Sequence, residues 1–157
     1  MTKIVTDDRV LKALVKRLKA LGKMGVKVGV LGAKGGDREH SDGISMVELA
    51  AIQHFGSPAA GVPARPFITD AIKAGKKEQA KVSAGIARKL MKPSYTNDMA
   101  LNTLGVWASA QVKKHVMSGP PMKPPNAAST VAKKGSSRPL IDTGRMINSV
   151  NHEVVKK

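Results

Sequence analysis

The residue types in this chain that could do chemistry are a glycine-rich run, four histidines, a small acidic cluster and scattered serines. Gly29-x-x-Gly32-x-x-Gly35-Gly36 follows a β-branched run, where a phosphate-binding loop would sit. That loop needs Gly-Lys followed by Ser or Thr, so that the lysine meets phosphate and the hydroxyl meets magnesium. Here Lys34 is followed by Gly35-Gly36-Asp37, and the repeated βαβ units of a dinucleotide fold are missing. His40, His54, His115 and His152 contain no i, i+4 pair, and no cysteine is present to complete a zinc site. Asp37, Glu39 and Asp42 lack the ligand order and terminal bidentate glutamate of a calcium loop, and Arg38 and His40 interleave with them. A serine nucleophile needs a histidine base and an orienting acid, yet Ser57, Ser94 and Ser109 sit in no elbow motif. His54 reads as a capping or packing residue. The expectation is no enzymatic activity, no cofactor and no metal.

Charge is the other chemical feature. Lys and Arg number 27 against 11 Asp and Glu, a formal net charge of +16. That excess attracts polyanions, or sets basic faces against acidic partner subunits. Aromatic residues make up 3%, namely Trp107, Tyr95, Phe55 and Phe67, so the core must be aliphatic. The absence of cysteine excludes a disulfide framework and suits assembly in a reducing cytoplasm. No stretch reads as a signal peptide or approaches the ~20 apolar residues of a membrane span.

The elements that must position these residues follow from periodicity. Asp7 or Asp8 can cap a helix with Val10, Leu11, Leu14, Val15, Leu18 and Leu21 on one face and lysines on the other, ended by Gly22 and Gly25. Residues 26–31 alternate as a strand, and 32–43 form a polar glycine-rich loop. Ser45 and Glu48 make a capping box for a helix through Phe55, with Gly56 as a left-handed C-terminal residue. After a proline-rich turn, Pro66 opens one long helix reaching Met91. Asn97 or Asp98 caps another, which stops at Ser118-Gly119-Pro120. Residues 120–139 hold five prolines and have the composition of a linker. A turn at Asp142-Thr143-Gly144 and a short helical stretch lead into a closing strand, Ser149 to Val155. Two strands make no stable sheet by themselves, so a further strand is expected in 57–66, in 118–126 or from a neighbouring subunit.

Two separated signatures carry a family resemblance. The first is Ile52-Gln53-His54-Phe55-Gly56-Ser57 followed by Pro63-Ala64-Arg65-Pro66-Phe67-Ile68. The second is Lys134-Gly135-Ser136-Ser137-Arg138-Pro139-Leu140-Ile141-Asp142-Thr143-Gly144-Arg145-Met146-Ile147-Asn148-Ser149. In this order they resemble the tail-completion and neck ("virion morphogenesis") proteins of long-tailed bacteriophages, over roughly residues 45–155. The resemblance implies an α+β fold, a small antiparallel sheet flanked by helices, as one domain over 1–157. It also implies an extended arm at about 118–140 with a short helix near Ala128–Lys134.

By the same resemblance the chain is a structural virion protein of the head–tail junction, assembled in the bacterial host cytoplasm. It would form a ring with itself, expected to be hexameric. The ring would meet portal, connector or adaptor proteins on one side and tail terminator or tail tube proteins on the other. Genomic DNA would cross the lumen without sequence specificity, and no membrane is involved. Phe55, Gly56, Arg65, Pro66, Phe67, Leu140, Asp142, Thr143 and Gly144 are the expected fold or interface residues. Arg65 either bonds locally or reaches an adjacent subunit, and Asp142 serves as an Asx-type cap. Lys34 and Arg38 are assigned to the DNA-facing lumen, and Lys133, Lys134 and Arg138 to partner docking. The loops 32–43 and 118–140 are expected to order on assembly. The alternative is a stand-alone basic nucleic-acid-binding protein of a phage or mobile element, which explains the charge and the first helix but not the two signatures.

Overall fold

A computed structural model describes residues 8–31, 43–135, 137–142 and 144–157. The glycine-rich loop with Lys34 and Arg38 lies outside the described residues, as do Thr143 and the side chains of Lys133 and Lys134. The described elements run α1 (Asp8–Leu21), β1 (Met24–Val30), α2 (Met46–Phe55), a 3₁₀ turn (Pro58–Ala60), α3 (Phe67–Ala74), α4 (Lys76–Leu90), α5 (Asn97–Ser118), α6 (Ala128–Lys134), α7 (Arg145–Asn148) and β2 (Val150–Lys156). The fold is α+β, helix-rich around one small antiparallel sheet.

β1 and β2 pair with Met24 opposite Lys156 and Val30 opposite Val150. Among the described residues this sheet has two strands. The third strand expected in 57–66 or 118–126 is not there: Ser57 and Val62 form one isolated bridge closing a tight turn. Gly25, expected to end the first helix, lies within β1 instead. The long helix α5 covers the sheet with a run of small side chains. A Cβ on Gly105 would stand 2.1 Å from His152 Cδ2, so the missing side chain there sets how closely helix and strand approach.

Phe67, Met46, Val112, Val116 and Val150 are the largest fully buried side chains. They come from α3, α2, α5 and β2, and burial of each contributes about 1.5–3 kcal/mol. Ala50, Ala71, Met146 and Ile147 fill the space between them. α2 opens as its sequence predicts: Ser45 Oγ accepts from the Glu48 amide, and Glu48 accepts from the Ser45 amide at 2.9 Å. The Ser45 amide, and the Ser45 hydroxyl that donates to the same carboxylate oxygen at 3.0 Å, hold the Glu48 carboxyl below its usual value.

Two helix expectations need correction. The single helix from Pro66 to Met91 is two, broken at Gly75. Gln111 of α5 lies against the break: its Nε2 donates to Ala71 O at 3.1 Å, and its side chain lies 3.0 Å from where a Gly75 Cβ would be. An inserted side chain beside a glycine is an ordinary origin of a helix break. The cap of α5 is Thr96, whose Oγ1 accepts from the Met99 amide at 3.2 Å, not Asn97 or Asp98. Asn97 is diverted to α1, where its Nδ2 donates to Arg17 O at 2.9 Å.

The packing of Gly105 against His152 yields a stability test. Gly105→Ala is expected to destabilise the fold by about 1–3 kcal/mol through overpacking. His152→Ala should relieve part of that loss, with a coupling of at least about 0.5 kcal/mol in a double-mutant cycle. Denaturant melts of the four proteins check it, and strict additivity would exclude the contact.

Candidate functional site

The two signature segments converge on the proline-rich arm. After α2, Gly56 takes φ 81 and ψ 169. This is a positive-φ conformation suited to glycine, but not the left-handed helical one expected from the sequence. A Cβ there would come 2.8 Å from Ala64 N, because the turn folds back hard on the helix end. Ser57 and Val62 exchange backbone hydrogen bonds at 2.8 and 2.9 Å, and the Arg65 amide donates to Gln53 O at 2.9 Å. The loop thus returns Arg65 to the side of α2 and starts α3 at Phe67, 1% exposed in the core. Pro66 occupies the N-cap position of α3.

Arg65 is 7% exposed, one of the few buried polar side chains. Its Nε donates to Pro124 O at 2.9 Å and its Nη2 to Pro125 O at 3.1 Å. Nη1 donates to Gln53 Oε1 at 3.3 Å. Burial lowers its pKa from the usual guanidinium value, and the three acceptors compensate its desolvation with hydrogen bonds to the ionised group. Of the two readings left open for Arg65, the described contacts are within its own chain: it clasps the arm to the end of α2.

Arg138, expected in partner docking, also has partners within its own chain: its Nε donates to Val116 O at 2.8 Å and its Nη2 to Gly119 O at 2.9 Å. It therefore caps the C-terminal carbonyls of α5, where the macrodipole favours a cation. The arm between Ser118 and Leu140 leaves α5, is clasped by Arg65 midway and returns to the same helix end through Arg138. α6 lies within it, at the position the family resemblance implies. Leu140 has φ 65, uncommon for a residue with a Cβ, and packs against the core. Gly144 has φ 75 and begins α7, which no side-chain hydrogen bond caps. Asp142 is exposed and does not supply the Asx-type cap expected of it.

Phe55 behaves unlike its neighbours. It is 77% exposed at the end of α2. Its contact is the edge of His54, 4.7 Å between centroids, and His54 in turn meets Phe67 at 5.4 Å. His54 Nε2 lies 3.4 Å from Thr69 Oγ1, and its buried Nδ1 has no hydrogen-bond partner. Desolvation holds the His54 pKa below the usual histidine value, against a smaller upward pull from Asp70.

Tertiary structure also assembles a group that spacing could not reveal. Ser109 Oγ lies 3.4 Å from His152 Nδ1, and His152 Nε2 lies 3.3 Å from Asn102 Oδ1. The group resembles a nucleophile, base and orienting amide. However, Ser109 donates to Gly105 O of its own helix at 2.9 Å and is 8% exposed, so it is turned away from any substrate. Its effect is to pin β2 to α5. Among the described residues no group of three His, Asp or Glu side chains is placed to hold a metal ion. Between Arg65, Phe67, His115 and the arm's Pro121 and Met122 lies an open depression of about 300 Å³, lined also by Asp70 and Lys123.

α1 is the largest departure from self-sufficient packing. Leu14, Arg17 and Leu21 are half-buried, but no residue of the helix is fully buried. Val10, Leu11, Val15 and Leu18 remain 42–60% exposed. The helix is held mainly by polar contacts, with Arg17 donating to the carbonyls of Lys92 and Tyr95. Among the described residues no helix is long and apolar enough to cross a membrane.

No protein-family model, curated protein or solved structure matches this chain.

Two predictions follow from the arm and from His54. Arg65→Met should strand the carbonyls of Pro124 and Pro125, cost about 2–4 kcal/mol and raise proteolysis within 120–137 before global unfolding. An unchanged cleavage rate would contradict the clasp. Protonating His54 is disfavoured in the folded state, so its contribution is complete above about pH 6.5, the unfolded histidine value. It is lost as pH falls through the lower folded value. His54→Gln should flatten that part of the stability–pH curve, and an unaltered slope below pH 6.5 would rule the effect out.

Proposed function

We propose that this chain is a structural subunit of a phage neck or tail-completion ring, joining connector to tail around the passing genome. The single observation that carries this reading is the apolar face of α1, which no described part of the chain covers. A monomer with no further partner has little reason to hold Leu11, Val15 and Leu18 in water along one helix. Phe55 adds a large exposed aromatic side chain within the first signature, and the two-stranded sheet leaves both outer strand edges unpaired among the described residues. All three are surfaces that neighbouring subunits would bury. The resemblance of the two signatures to the tail-completion family supplies the identity of the assembly, and the charge of +16 suits a particle through which DNA moves. A virion location follows from the same reading.

The rival, a stand-alone basic nucleic-acid-binding protein, is favoured by the charge alone and leaves the apolar surfaces unexplained. Oligomeric state decides between them. Mass measurement and negative-stain imaging of the purified chain should show a discrete ring with a central opening. Leu11→Glu with Leu18→Glu, or Phe55→Ser, should reduce it to monomers with an unchanged circular-dichroism spectrum. A chain that stays monomeric at high concentration and in the presence of tails would refute the neck reading.

A further inference from the structure

The outward face of α4 is a second surface without a partner among the described residues, and its chemistry differs from that of α1. Gln79, Val82, Ile86 and Leu90 turn toward the body of the protein. At about 100° per residue, Lys77, Lys81 and Arg88 project on the opposite side, with Lys76 at the margin. Between them stand Ala80, Ala84 and Ala87, with Ser83 just beyond Lys76, all exposed. The outer arc, about 160° wide, therefore presents positive charge and side chains no larger than serine. Glu78, the one acid of this helix, falls outside the arc beside Lys89. Lys77 and Lys81 are about 6 Å apart along the axis and Arg88 about 10 Å farther. Arg88 lies along its own helix, its Nε donating to Ala84 O at 3.4 Å.

Local rules argue against this arrangement as mere solvation. Lys76 and Lys77 open the helix, where the macrodipole disfavours cations. Lys77 and Lys81 are an i, i+4 pair of like charge, which destabilises an isolated helix. An anion along the face turns both costs into attraction. Such departures from local preference concentrate where function requires them.

We propose that the outer face of α4 is the nucleic-acid contact of this protein. A duplex phosphate backbone lies against it, neutralised by Lys76, Lys77, Lys81 and Arg88, and Ala80, Ala84 and Ala87 allow close approach. The contact reads charge and not sequence. The face carries no aromatic side chain on which an unpaired base could stack, so duplex is preferred over single strand. That the duplex is genomic DNA in transit rests on the neck reading; the contact itself does not.

The test uses the full chain, two fluorescent duplexes of unrelated sequence and their single strands, across a salt series. Lys77→Gln, Lys81→Gln and Arg88→Gln are combined in one variant. A control combines Lys12→Gln, Lys16→Gln and Lys19→Gln on α1, removing equal charge. Both duplexes should bind the unsubstituted chain alike. The α4 variant should lose roughly two to three units of the log–log salt slope, about 0.9 per released phosphate contact, and the control less than one. Lys81→Gln and Arg88→Gln alone, each shifting the slope by about one, serve if the triple variant fails to fold. Equal losses in both triple variants, an unchanged slope in the α4 variant, or tighter binding of polyglutamate than of duplex would overturn the proposal. Mass measurement on the same samples separates the two readings. A ring with an unchanged slope defeats the α4 contact alone, whereas α4-dependent binding by a monomer defeats the neck assignment alone.

Discussion

A two-stranded sheet has no interior, so its apolar side must be covered by something else, and here that cover is α5. Nearly every other feature follows from this constraint. α5 must be long, because it spans the sheet and still reaches the arm. It must be slim where it meets β2, which is why Gly105, Ala108 and Ser109 are buried there. Lower on the same helix, Val112 and Val116 take over as core residues against α2, α3 and α7. Gln111 reaches from it to divide α3 from α4. Without α5 the sheet would be a marginal hairpin-like ribbon, and the helices would have no common surface.

The arginines show how an excess of base is accommodated when acids are few. Arg17, Arg65 and Arg138 each fork onto main-chain carbonyls: Lys92 and Tyr95, Pro124 and Pro125, Val116 and Gly119. Loop ends and helix C-termini expose carbonyls that no backbone N–H satisfies, and proline-rich stretches have few N–H groups of their own. A planar guanidinium meets two such acceptors at once. The lysines, which lack that fork, remain on the outside of α1 and α4. The positive charge thus divides by chemistry, with several arginines holding loops and the lysines facing outward.

The same division bears on function. The chain ties its own arm down with two arginines, while among the described residues nothing covers the apolar face of α1 or Phe55. On the proposed neck reading, those uncovered surfaces are where neighbouring subunits pack. Its recognisable motifs concern shape: Gly56 exists so that the turn can fold back, and Arg65 so that the arm has an anchor.

Much of the local structure was legible from the amino-acid sequence. The capping box at Ser45, the apolar period of α1, the alternation of β1 and the glycine at position 144 each report a preference that acts within a few residues, and the structure retains them. The α+β class followed from the same signals together with the two signatures. What only tertiary structure decided are the outcomes of competition between distant groups. Asn97 donates to Arg17 O instead of capping, and Thr96 accepts the first-turn amide in its place. The helix after Pro66 divides at Gly75, where a glutamine forty residues from Ala71 packs and donates to Ala71 O. The charge of Arg138 is visible in sequence, and the helix end that it reaches within 3 Å is not. Arg65 likewise acquired its role only when the chain delivered two proline carbonyls to it. Propensity and periodicity act along the chain; a hydrogen bond to a distant carbonyl depends on where the fold carries that carbonyl, which only packing determines.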